Sequence, residues 1–124
     1  MGPTLQLGAI GNCQIAALVD PEATVVWCCL PRLDGDPVFS ALLTAQGGDA
    51  RDGVFKVELA HMAQSMQTYI TNTAVLETQL SDGRGNSVRI TDFCPRLRRR
   101  GRIFRPMCLV RIVEPVEGRP QVTL

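Results

Sequence analysis

The sequence predicts an all-β fold: an antiparallel β-sandwich, the first part of a larger super-sandwich, with one short helix near residues 38–43. Three observations carry this expectation. Apolar runs are short and end at turn residues. Apolar and polar residues alternate over much of residues 54–60, 68–80 and 88–94, the period of half-buried strands. The segments recur at roughly 8–15 residue intervals, the rhythm of a sandwich or barrel.

Each element follows in order. CQIAALV (residues 13–19) ends at Asp20-Pro21, and TVVWCCL (24–30) is β-branched and apolar and ends at Pro31. The two make a hairpin over DPEA. Asp36 and Pro37 suit a helix cap and first position, so residues 38–43 are expected as one or two helical turns, stopped by Gly47 and Gly48. Residues 47–53 read as a loop. Strands are expected at 54–60 and 68–80, then a hairpin turn SDGRGNS and a strand at 88–94. In that last strand Val88, Ile90 and Asp92 fall on one side, with Arg89, Thr91 and Phe93 on the other. Residues 107–116 and 121–124 complete a set of about seven strands.

Composition sets the bounds. The 124 residues form one domain or part of one, long enough to bury a core without much surplus. With 45% apolar and 20% charged residues, the chain as a whole is not of the disordered class. No apolar run reaches a membrane span, and the first residues lack the basic and apolar regions of a signal peptide, so a cytoplasmic protein is expected. Charge is uneven. Residues 1–80 hold three basic and eight acidic residues, a net of −5; residues 81–124 hold ten and four, a net of +6.

Candidate chemistry is sparse. Cys13, Cys28, Cys29, Cys94 and Cys108 contain no C-x-x-C, and His61 is the single histidine, so no metal site or redox pair is expected. Cys28 and Cys29 are adjacent on a strand and point to opposite faces. His61 reads as a loop residue with no nucleophile assigned to it. Asp34, Asp36, Glu58, Glu77 and Asp92 include the residue types of a glycosidase acid–base pair, yet most have structural work available. Asp36 suits a cap, and Asp92 suits turn hydrogen bonds at a strand end. No cofactor motif is present. Arg96, Arg98, Arg99, Arg100, Arg102 and Arg105 form a basic cluster with only Phe104 for stacking. A nucleic-acid partner is therefore not favoured, and a solvated basic loop, or one that meets acids on another domain, is.

Three blocks carry a resemblance. IGNCQIAALVDPEATVVWCCLPRLDGDPVFSALL (10–43), NTAVLETQLSDGRGNSVRITDFCPR (72–96) and RPMCLVRIVEPVEGRPQVTL (105–124) occur in that order. Together they resemble the amino-terminal region of glycoside hydrolase family 15 proteins, the glucoamylase and trehalase-like group. Matching positions include Ile10, Gly11, Asn12, Cys13, Trp27, Cys29, Pro31, Arg32, Asp34 and Phe39. Leu33 departs from a usual Phe, and Val26 from a frequent Asp. The resemblance implies a sandwich preceding an (α/α)6 barrel that acts on α-glucosides, maltooligosaccharides or trehalose, through two glutamates of the barrel. No residue of this chain maps onto either glutamate. The expected partner is that barrel, the chain 1–124 is a single incomplete domain, and alone it is inactive; the alternative is a stand-alone module that binds carbohydrate, or nucleic acid through Arg96–Arg105, which the few aromatic residues disfavour. Trp27 is expected to face the core with one of the two adjacent cysteines. Arg32 and Asp34 are either an internal ion pair holding the corner or part of a face towards the barrel, with the structural role preferred.

Overall fold

The computed structural model describes residues 6–43 and 53–124. Strands β1 (Gly8–Gly11), β2 (Ala16–Val19), β3 (Val25–Cys29) and β4 (Pro37–Ser40) form an antiparallel meander in that order. A second antiparallel sheet has the order β11 (Val110–Glu117), β8 (Ser87–Phe93), β7 (Leu76–Ser81), β6 (Gln64–Tyr69). Two short pairs complete the set: β5 (Glu58–Leu59) with β12 (Val122–Thr123), and β9 (Leu97–Arg99) with β10 (Arg102–Phe104).

The two larger sheets share a core. Inward positions alternate along the strands, as the pleat requires: Ala17 and Val19 on β2, Leu76, Thr78 and Leu80 on β7, Val88, Ile90 and Asp92 on β8. One apolar cluster joins Ile10, Ile15, Ala17, Val19, Val25 and Cys28 of the first sheet to Leu76 and Cys94 of the second. Another joins Ala23, Val57 and Leu59 to Leu80, Val88 and Ile90. The sheets are also tied at their edges. The Tyr69 hydroxyl donates to Ala9 O and accepts from Ala9 N, both at 2.8 Å, which satisfies both backbone polar groups of a residue on edge strand β1. The expected β2–β3 hairpin is present, its turn held by Asp20 Oδ1, which accepts from the N–H groups of Glu22 and Thr24 at 2.9 Å.

Several elements differ from the expectation. The helix near residues 38–43 is instead strand β4 followed by a single 3-10 turn, Ala41–Leu43. Pairing of Phe39 with Cys28 puts its ring against the core and the ring of Phe55, 6.0 Å away. That burial outweighs the local cap signal, and Pro37 is tolerated because β4 is an edge strand. Residues 44–52, which hold most of the expected loop and the Gly47-Gly48 stop, lie outside the described residues. Of 54–60, only Glu58–Leu59 is a strand, with Phe55 bridging Val25. Residues 68–80 are not one strand but the end of β6, a turn and β7; Asn72 adopts a left-handed φ of 60°, which asparagine tolerates. Gly8–Gly11, unassigned from sequence, is β1. The basic segment at 96–105 is a β-hairpin rather than a loop.

Candidate functional site

The site grows out of one buried asparagine. Asn12 follows β1 and is 1% exposed. Its Oδ1 accepts from the N–H groups of Gln14 and Ile15, at 3.0 and 3.1 Å, closing the β1–β2 turn. Its Nδ2 donates to Pro95 O at 2.9 Å and to Pro106 O at 2.8 Å. Pro95 and Pro106 flank the β9–β10 hairpin, so a single amide fastens both feet of that ribbon to the first sheet. All four hydrogen bonds open to an asparagine side chain with two donors and a doubly used acceptor are thereby made.

Above this root the ribbon is exposed throughout. Leu97 faces Phe104, Arg98 faces Ile103, and Arg99 faces Arg102 across the pair. Arg100 and Gly101 close it with left-handed φ values of 51° and 75°, the pattern of a two-residue hairpin turn. Beside the root lies a cleft of about 400 Å³ between the β1–β2 turn, the residues before β7 and the start of the ribbon. Arg96 Nη1 approaches Cys13 Sγ at 3.8 Å there. None of its lining residues is a carboxylate. Hydrolysis of a glycosidic bond needs an acid and a base, so this cleft can bind but lacks the groups to cut.

A second polar centre, on β8 and β11, is enclosed. Arg111 on β11 stands opposite Asp92 on β8 and meets it with two hydrogen bonds, Nε to Oδ1 at 2.6 Å and Nη2 to Oδ2 at 3.1 Å. The side chains are 4% and 0% exposed. Arg111 also donates to Phe55 O at 2.8 Å and to Ala23 O, and its guanidinium lies 4.8 Å over the Phe55 ring. Burial pushes the Asp92 carboxyl up, opposed by the hydrogen bonds and charge of Arg111. This is a strut that fixes the β2–β3 turn and the Phe55 segment to the second sheet. Asp92 is therefore a buried ion-pair partner, not the turn acceptor expected from sequence.

The remaining sequence candidates are dispersed. Arg32 and Asp34 form an ion pair at 2.9 Å, but their side chains are 68% and 72% exposed, so the pair is external and contributes little to stability. Trp27 is half-buried and pairs with Leu18 and Ser40; Val25, Cys28 and Cys29, not Trp27, are the buried residues of that strand. A bulge at Val26 sets this phase, since Val19 pairs with Val25 while Leu18 pairs with Trp27. His61 lies in an exposed turn with a φ of 57° and shares a cleft of about 210 Å³ with Glu22, Lys56 and Glu58. No described hydrogen bond joins the imidazole to either glutamate. The cysteines are free thiols, with Cys28, Cys29 and Cys94 buried. Burial, then the neighbouring Cys28, Cys108 and Asp92, push the Cys94 thiol up to about 11. Among the described residues no cluster of three His, Cys, Asp or Glu is placed to hold a metal ion, and no helix is long and apolar enough to cross a membrane.

Comparison with known proteins adds a family. Residues 3–117 match the family described as trehalase-like, N-terminal. The chain is similar to the trehalase of Mycolicibacterium smegmatis, at 29% identity over 76 residues, which are 61% of this chain and 11% of that protein. It is similar to the trehalase of Mycobacterium tuberculosis at 28% identity over 76 residues, again 61% of this chain and 11% of that protein. The matched stretch is thus a small part of those relatives. No solved structure matches the chain.

Proposed function

The chain belongs to the trehalase-like, N-terminal domain family, and from that premise we propose that it is the non-catalytic amino-terminal domain of a glycoside hydrolase. The proposed parent enzyme is of the family 15, glucoamylase and trehalase-like kind, acts on α-glucosides such as trehalose or maltooligosaccharides, and works in the cytoplasm. In this reading residues 1–124 form one domain that braces a separate catalytic barrel, with Trp27, Arg32 and Asp34 on the surface available to it. The observation that carries the reading is the family match over residues 3–117. The geometry supports it. Asp92 is spent in a strut, Asp20 and Asp82 hold turns, Glu58 pairs with Lys56 in the cleft it shares with Glu22, and the two polar centres do mechanical work.

The test is to read the coding sequence beyond the codon for Leu124. This account expects the frame to stay open for a long helical region carrying two glutamates suited to an inverting acid–base pair. A stop codon directly after Leu124, with no separately encoded hydrolase associating with the chain, overturns it.

A further inference from the structure

Five arginines of the β9–β10 region, Arg98, Arg99, Arg100, Arg102 and Arg105, fall within residues 98–105. Arg32, Lys56, Arg89 and Arg111 each meet a carboxylate within 4.0 Å. Among the described residues no carboxylate meets any of those five. Arg99 and Arg102 even face one another across the ribbon, an arrangement that destabilises an isolated strand pair. The ribbon therefore carries its charge against its own folding preference. Interleaved with the arginines are three large apolar side chains that are about half exposed: Leu97 at 46%, Ile103 at 51% and Phe104 at 50%.

We propose that this ribbon is a docking arm for a carboxylate-rich, partly apolar protein surface, namely that of the hydrolase domain in the reading above, on which the partner's identity rests. Charge complementarity requires an anionic partner. The apolar residues choose between the anionic classes. A phosphate backbone is held by cations and hydrogen-bond donors and gives Leu97 and Ile103 nothing to contact. An arginine and aromatic surface with aliphatic neighbours is the composition of a protein interface centre. Both faces of the ribbon present this mixture: Leu97, Phe104, Arg99 and Arg102 on one, Arg98 and Ile103 on the other. The Asn12 amide holds both feet in place before any partner arrives, which lowers the ordering cost of docking.

The experiment titrates this chain, at physiological ionic strength, against three labelled probes: a random copolymer of glutamate and tyrosine, poly-glutamate of equal charge, and an arbitrary DNA duplex. Fluorescence anisotropy reads the binding. The proposal expects the copolymer to bind tightest, by about tenfold over poly-glutamate. R98S/R102S should weaken it by a similar factor, and I103S/F104S should bring it level with poly-glutamate. Equal binding of the two polypeptides by the unaltered chain, or duplex bound tightest, overturns the proposal. That ranking stands whether or not the variants fold. The titration needs no hydrolase, so its failure is distinct from a failure of the coding-frame test.

Discussion

Asp92 and Arg111 face each other from neighbouring strands, and their environment makes them the least replaceable polar residues described. Removing either leaves the other as an uncompensated buried charge, a loss of about 3–5 kcal/mol. Asp92→Asn and Arg111→Met should each show that loss in urea unfolding. The double variant Asp92→Leu with Arg111→Met should cost less than either alone, because no charge is stranded. A double variant that costs the sum of the singles would contradict the strut. Thiols offer a second reading at this scale. Cys94 is buried and its thiol is raised to about 11, so it stays protonated well above neutrality. At about pH 8, iodoacetamide should modify the exposed Cys13 and leave the buried Cys94 intact until the protein is unfolded. Mass spectrometry of the native and unfolded chain checks this. Asp92 illustrates what alternation in sequence reveals and what it hides. Its inward direction follows from its phase with Val88 and Ile90. Its partner lies 19 residues away and is set by strand register, which no local pattern encodes.

The β9–β10 ribbon is an element that depends on a residue remote in sequence. Asn12 is 83 residues from Pro95 and 94 from Pro106. Asn12→Asp keeps the acceptor for the β1–β2 turn but replaces both donors with an oxygen facing two carbonyls. It should destabilise the protein by about 1–3 kcal/mol for each buried group left unpaired, and hydrogen exchange should quicken in the ribbon before the sheets. Exchange that quickens equally everywhere would mean the amide is not specific to the ribbon. The ribbon was illegible in the sequence because arginines occupy both of its faces, which erases the period-2 contrast that betrays a half-buried strand. The helix expected at residues 38–43 failed for the opposite reason: its cap and proline signals were genuine, but the Phe39 ring gains more from the core than a short helix offers. Asn72 falls inside the expected strand 68–80, although an asparagine between two apolar runs is a turn signal. Strands β7 and β8 were legible because their apolar alternation coincides with real burial, and β2 and β3 because they are continuous apolar runs bounded by turn residues.

At the scale of the molecule, two four-stranded sheets enclose a core whose polar interior is committed to structure, while the unpaired arginines point outward. The family resemblance was legible from long ordered blocks around residues 10–43 and 72–96, and the match over residues 3–117 agrees with it. The docking ribbon was legible only as a charge excess, since its geometry needs the fold. In the proposed function the domain braces a hydrolase and hydrolyses no glycoside itself. The most direct measurement is glucose release from trehalose and from maltotetraose by the purified 124-residue chain, against a mock preparation from cells without it. Release no greater than the mock is expected at any chain concentration. Release that rises in proportion to the chain, and falls when the Glu22–His61 cleft is altered by Glu58→Gln, would contradict it.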